Sequence, residues 1–143
     1  MKQEDSTVAS LRGVGLFAGL GDKTLARIAQ QTKPYHFGVD ETVIDADSSG
    51  RFGRLYIVVS GTAEARIRNE RVATFGPGDH FGEMSVLDGS PRSAAIVATS
   101  ELDTLGLSAW NMRTLLREEP DIAMHVIDTL VARLRRLNEA LFD

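Results

Sequence analysis

Phe81-Gly82-Glu83-Met84-Ser85-Val86-Leu87-Asp88-Gly89-Ser90-Pro91-Arg92-Ser93-Ala94-Ala95 is the stretch on which the reading of this chain turns. It sets glycines, one carboxylate and one guanidinium on a single short loop. Glycine lets the backbone N–H groups approach a ligand closely, and with Arg92 they form a place for an anion. Glu83 supplies an acceptor for a hydroxyl. A ligand that carries both a phosphate and a free sugar hydroxyl matches this pairing.

Outward from the loop, residues 33 to about 107 read as β. Runs rich in Val, Ile, Tyr and Thr alternate with Gly, Asp, Ser and Pro turns. The clearest are Leu55 to Val59, Ala63 to Ile67, Val72 to Phe75, Ser93 to Thr99 and Leu102 to Leu107. Ser60-Gly61 suggests a tight hairpin between the first two, and Gly76-Pro77-Gly78-Asp79 is a second turn. Many short, evenly spaced strands predict a sandwich or barrel.

Residues 1–32 and 108–142 read as helical. Thr7 to Leu11 form a short turn, and Asp22 is an N-cap for Lys23 to Gln31, with Leu25 and Ile28 facing inward. Leu16, Phe17 and Leu20 make an apolar knot. Ser108 caps Ala109 to Glu118, and Pro120 opens a last helix reaching Phe142. That helix carries Ala123, Ile127, Leu130, Leu134, Leu137 and Leu141 at spacings of 4, 3, 4, 3 and 4. The stripe either packs on its own β domain or forms a seam between two protomers, with Arg133, Arg135, Arg136 and Glu139 beside or opposite it. Trp110 and Phe17 read as core.

Composition narrows the function. The 143 residues make one domain, 1–143, large enough to bury a core without metal or disulfide. Sixteen Lys and Arg against 20 Asp and Glu give a net charge of -4, which argues against nucleic acid as a partner of this chain alone. The chain contains 0 cysteines, so it has no thiol chemistry. The polar, acidic start is unlike a signal peptide, and no apolar run approaches the ~18 residues of a membrane span. A cytoplasmic protein is expected, with no membrane partner.

With these residues in view, the chain resembles the cyclic nucleotide-binding domain family, which includes catabolite activators, regulatory subunits of cyclic-nucleotide-dependent kinases and channel gating domains. The family's phosphate-binding cassette reads F-G-E-(L/M)-(A/S/G)-L, a short turn, then R-(S/T/A)-A; residues 81–95 follow it at nearly every step. Leu55 to Glu64 match an upstream family pattern apart from one position of spacing, and Gly76 to Glu83 match G-x-G-D-x-F-G-E. The resemblance covers nearly the whole chain. It implies a mainly β fold with flanking helices: a double-stranded β-helix, the jelly-roll-like β-roll, with short N-terminal helices and a C-terminal hinge helix plus long helix.

The resemblance also implies roles. Glu83 accepts a hydrogen bond from the ribose 2′-OH and Arg92 pairs with the cyclic phosphate. Backbone N–H groups across Phe81, Gly82, Glu83, Met84 and Ser85 and at Ser93 and Ala94 complete the cradle, and the Ser93 hydroxyl reaches phosphate or base. In the kinase branch a hydroxyl at that position accompanies cGMP, whereas in bacterial activators serine coexists with cAMP. The short cassette looks bacterial, so cAMP is favoured over cGMP. Arg133 and Asn138 on the last helix are candidates to approach phosphate or base. The implied function is a sensor that couples ligand capture to movement of the C-terminal helices and acts on an effector, a partner protein or a fused domain. It is not an enzyme and needs no cofactor beyond its ligand. If the apolar stripe forms the seam between protomers, the homodimer is held by Ile127, Leu130, Leu134, Leu137 and Leu141.

Blander readings stand beside these. Glu83 and Arg92 could brace the loop as an ion pair, Gly82 and Gly89 could be ordinary turn glycines, and Ser85 could cap a short helix. The rival function is a degenerate, nucleotide-free interaction or dimerisation domain of the same fold. Asp45 to Gly50 begin like a calcium loop, but Tyr56 stands where the twelfth-position glutamate is needed. His36, His80 and His125 lack metal-ligand spacing.

Overall fold

The computed structural model describes residues 2–45, 53–82 and 94–142. Leu55, Tyr56, Ile57 and Val58 show why the chain takes the shape it does. All four are buried, at 0–5% exposure, because their strand is covered on both faces. The alternation of a strand sends Leu55 and Ile57 to one side and Tyr56 and Val58 to the other. The first pair joins a cluster built from helices, and the second joins a cluster between two sheets.

Eight strands make the described sheets: β1 (Lys33–Phe37), β2 (Thr42–Ile44), β3 (Arg54–Ser60), β4 (Ala63–Ile67), β5 (Glu70–Phe75), β6 (His80–Phe81), β7 (Ala95–Ala98) and β8 (Leu102–Ser108). They form two antiparallel four-stranded sheets, β1-β8-β3-β6 and β2-β7-β4-β5. This is the jelly-roll-like β-roll. Helices cover the outer face of the first sheet. They are α1 (Lys2–Arg12), a 3-10 turn (Gly15–Phe17), α2 (Asp22–Gln31), α3 (Ala109–Glu118) and α4 (Pro120–Phe142). Leu16 and Phe17 are fully buried there and Leu20 packs against them. No described helix is long and apolar enough to cross a membrane.

Ser60-Gly61 is not a hairpin. β3 and β4 lie in different sheets, so these residues turn a corner between sheets instead of closing a ladder. Gly61 has φ +88, and a Cβ there would stand 2.0 Å from the Glu101 carbonyl oxygen. The corner is tied to the β7–β8 turn: Thr99 N–H donates to the Thr62 carbonyl at 2.9 Å, and Thr62 N–H donates to Ser100 Oγ at 2.9 Å. The hairpin is instead β4–β5, closed by Arg68 and Asn69 at φ 55 and 66. Two consecutive positive φ values are the type I′ signature.

Several helix details also differ from the sequence reading. α1 is longer than the turn expected over Thr7 to Leu11. Gly21 is the N-cap of α2, without a side-chain capping bond, and Asp22 instead pairs with Arg12. Ser108 does cap α3, its Oγ accepting from Asn111 N–H at 3.1 Å. Trp110 is 77% exposed. The buried face of α3 is Ala109, Met112 and Leu115, and one residue's step from Ala109 rotates Trp110 about 100° off it. On α4 the buried residues are Ile122 and Val126, with Leu130 packed beside them. That face lies one residue before the expected stripe. Ile127, Leu134, Leu137 and Leu141 are 49–76% exposed, so the stripe does not pack on its own β domain.

Gly61→Ala is expected to destabilise the protein by at least about 1–3 kcal/mol, from the left-handed backbone alone. Chemical denaturation measures it; an unchanged midpoint would mean that the corner relaxes without strain.

Candidate functional site

The segment carrying Glu83, Met84, Ser85, Arg92 and Ser93 lies outside the described residues. Both of its footings are described, and both rest on one cluster. On the incoming side, β6 pairs with β3 through Tyr56↔Phe81 and Ile57↔His80. Phe81 is 4% exposed, its ring 5.6 Å from Tyr56 and 5.1 Å from Phe75. Gly82 follows at φ +92, a conformation that only glycine adopts readily, and so sets the direction in which the chain leaves the sheet. On the outgoing side, Ala94 packs against the cluster that contains Phe81. β7 then enters the second sheet beside β4, with Ala65↔Ile96 and Arg66↔Ala95. The two described ends of this segment therefore belong to different sheets.

The approach to the loop is fixed as well. The turn Gly76-Pro77-Gly78-Asp79 closes with Asp79 N–H on the Gly76 carbonyl at 3.0 Å and Gly76 N–H on Asp79 Oδ2 at 2.8 Å. It is stitched to β3, with Val58 N–H donating to the Asp79 carbonyl at 2.9 Å and Gly78 N–H to the Val58 carbonyl at 3.0 Å.

Next to the loop's far end, the inward face of β4 and β5 is built from small side chains. The register pairs Ala63 with Phe75 and Ala65 with Ala73. Ala63 and Ala65 are buried, whereas Ala73 is exposed although it shares the inward face. The roll is thus open at this point, and alanine leaves room there. The sequence reading missed these positions. Their signal was alternation: Ala63 and Ala65 are separated by charged Glu64, and Glu64 and Arg66 pair on the opposite face at 2.6 Å. At the other end of β3, the Arg54 guanidinium sits 4.6 Å over the Tyr35 ring and bonds the Tyr56 hydroxyl at 3.4 Å, which raises its already high pKa.

Phe81, Gly82 and Ala94 are thus brought together. Arg133 and Asn138 are not in that group. They lie on α4, whose first turns are seated through Ile122, Val126 and Leu130 in the helical cluster, on the opposite face of the first sheet. Arg133 is half-buried and Asn138 exposed. Among the described residues, no group of three or more His, Asp or Glu could hold a metal ion.

Comparison with known proteins adds a family. The family model described as the cyclic nucleotide-binding domain matches residues 35–119. A CRP-like cAMP-activated global transcriptional regulator of Mycobacterium tuberculosis is 30% identical over 138 residues, covering 93% of this chain and 61% of that protein. The chain thus spans less than two thirds of that regulator's length. Among solved structures, the N-terminal domain of a transcriptional regulator from Streptomyces coelicolor A3(2) superposes with a TM-score of 0.80 at 27% identity, covering 94% of this chain and 96% of that one. The Thermus thermophilus catabolite activator protein gives 0.78 at 28% identity, covering 89% and 61%.

Removing the loop's footing has a measurable cost. Phe81→Ala is expected to destabilise the fold by about 3–5 kcal/mol, as for other buried aromatic rings. A melting temperature close to that of the parent protein would show that the ring is not a support.

Proposed function

The chain belongs to the cyclic nucleotide-binding domain family, and from that membership we propose that it is a regulatory sensor whose ligand is cAMP. The observation that carries this reading is the cassette itself. Phe81-Gly82-Glu83 and Arg92-Ser93-Ala94 match the cassette in sequence, and its described footings, Phe81 and Ala94, share one buried cluster.

In this reading Arg92 binds the cyclic phosphate. A planar guanidinium presents paired donors to a phosphate diester, and such charge-assisted bonds are the strong ones. The amides of Gly82 to Ser85 and of Ser93 and Ala94 add donors without side-chain bulk. Glu83 accepts from the ribose 2′-OH and leaves a ligand without that hydroxyl with an unpaired buried acceptor. Ala65 and Ala73 face the space in which the nucleotide sits. The choice of cAMP over cGMP is supported by the name of the Mycobacterium tuberculosis relative, which is cAMP-activated, and by the bacterial cast of a cassette with serine at 93.

Ligand capture would act through α3 and α4. The ligand shifts the helices only as far as it binds their two positions with different affinity. Arg133 and Asn138 would reach the nucleotide when α4 swings over the roll. The exposed Ile127, Leu134, Leu137 and Leu141 would then pack against a second copy or an effector. Leu130 contributes less, because it already packs in the chain's own core. The activity is binding and regulation, with no catalytic step.

Arg92→Ala is expected to weaken cAMP binding roughly 10- to 150-fold, from the loss of a charge-assisted bond worth about 1.5–3 kcal/mol. Ala73→Leu is expected to fold normally, being exposed, yet to cost about 1–3 kcal/mol of affinity by filling the ligand's space. Unchanged affinity in the arginine variant would reject the cassette assignment. Separately, Leu134→Glu is expected to convert a dimer into a monomer in light scattering; equal masses for variant and parent would reject the α4 seam.

A further inference from the structure

On the outer face of the first sheet, His36 of β1 stands between two carboxylates. Its Nδ1 is 2.8 Å from Asp103 Oδ1 on β8, and its Nε2 is 2.6 Å from Glu101 Oε2 in the β7–β8 turn. An ionised carboxylate only accepts, so both ring nitrogens must donate. Only the doubly protonated imidazolium can do that. The Ser60 hydroxyl of β3 donates to the second Asp103 oxygen at 3.0 Å. Three strands and a turn are thus joined at one protonated ring.

The neighbours of His36 connect this outer clip to the inner cluster. Tyr35 and Phe37 turn inward and meet Tyr56 edge-on, at centroid distances of 5.9 and 5.8 Å. The Tyr56 ring in turn lies against Phe81, where the ligand loop begins. β1 is an edge strand paired only with β8 in its sheet, so the clip on its outer face and the aromatic contact on its inner face add to that ladder and to the Thr104 hydroxyl's bond to the Tyr35 carbonyl at 2.9 Å. We propose that His36 is a pH-operated clip that fixes β1 and, through Tyr35, Phe37 and Tyr56, the footing of the ligand loop, so that cyclic nucleotide binds more tightly when His36 is protonated. The inference rests on the cyclic nucleotide reading above.

The direction follows from the bonds. Hydrogen bonding to Asp103 first, and to Glu101 next, raises the His36 pKa from its ordinary 6.5. The clip is therefore fully closed below 6.5 and opens as pH rises through the raised value, when one ring nitrogen turns a lone pair toward a carboxylate. The bond to His36, then that from Ser60, lowers the Asp103 pKa from 3.8, so at the acid end the clip is lost only as pH falls through that lowered value. Among the described residues, the side chains that line the same hollow as His36 from α1 and β3 are uncharged: Ser6, Thr7 and Ser10 from α1 and Val59 from β3. All three charged partners are more than half exposed, so the effect is modest and shrinks with added salt.

The test is the affinity of the full chain for cAMP at about pH 6 and about pH 8.5, for the parent protein and for His36→Gln. The parent is expected to bind roughly two- to fivefold more tightly at the lower pH, the range of an exposed charged pair, and the variant equally at both. His80 and His125 remain in the variant, so any pH effect that passes through them persists there. Equal parent affinities at the two pH values, or a pH effect unchanged in His36→Gln, would overturn this inference while leaving the binding reading intact. No binding at either pH would defeat both.

Discussion

The contact between Tyr56 and Phe81 is the constraint on which the rest of this structure depends. Tyr56 lies on a central strand and is 5% exposed; Phe81 is the last residue of a two-residue strand. A strand that short has little hydrogen bonding of its own. Burial of its one large ring is what keeps it in the sheet. Phe75 lies against Phe81 and Tyr35 and Phe37 against Tyr56, so four strands, β1, β3, β5 and β6, converge there. Gly82 and Ala94, the described ends of the cassette, both stand at this cluster.

The first sheet separates two kinds of core. Its inner face meets the second sheet and bears the loop's footings, and its outer face bears the helices. Any signal from loop to helices must therefore pass through the sheet or around its ends. Two features stand on the helical side. Ala109 N–H bonds the Gly53 carbonyl at 3.1 Å, which ties the start of α3 to the strand that carries Tyr56. Arg27 of α2 pairs with both Glu118 and Glu119, where α3 gives way to α4. The end of α3 and its junction with α4 are thus held to α2.

Much of this was legible in the sequence because it is local. Pro77 and Gly78 mark their turn by backbone preference, Ser108 marks its cap by side-chain chemistry, and the cassette marks the family by residue order. What was not legible depends on long-range pairing. Gly61 reads as a hairpin glycine, since positive φ serves a corner as well as a turn, and only the partners of β3 and β4 distinguish the two. The true hairpin has no glycine, so Arg68-Asn69 gave little signal. A helical stripe reveals that a face is apolar but not what covers it, which is why α4 packs through Ile122 and Val126 and leaves Leu134 and Leu137 exposed. Trp110 reads as core by residue type alone, whereas its position on α3 turns it to solvent. His36, Glu101 and Asp103 meet only because β1 pairs with β8. The cassette residues Glu83, Arg92 and Ser93 remain assigned by sequence pattern.

The most direct test of the account is calorimetric titration of the nucleotide-stripped protein with cAMP and then with cGMP. Saturable binding is expected, one nucleotide per chain, tighter for cAMP. No heat with either nucleotide, together with an unshifted melting temperature, would contradict it.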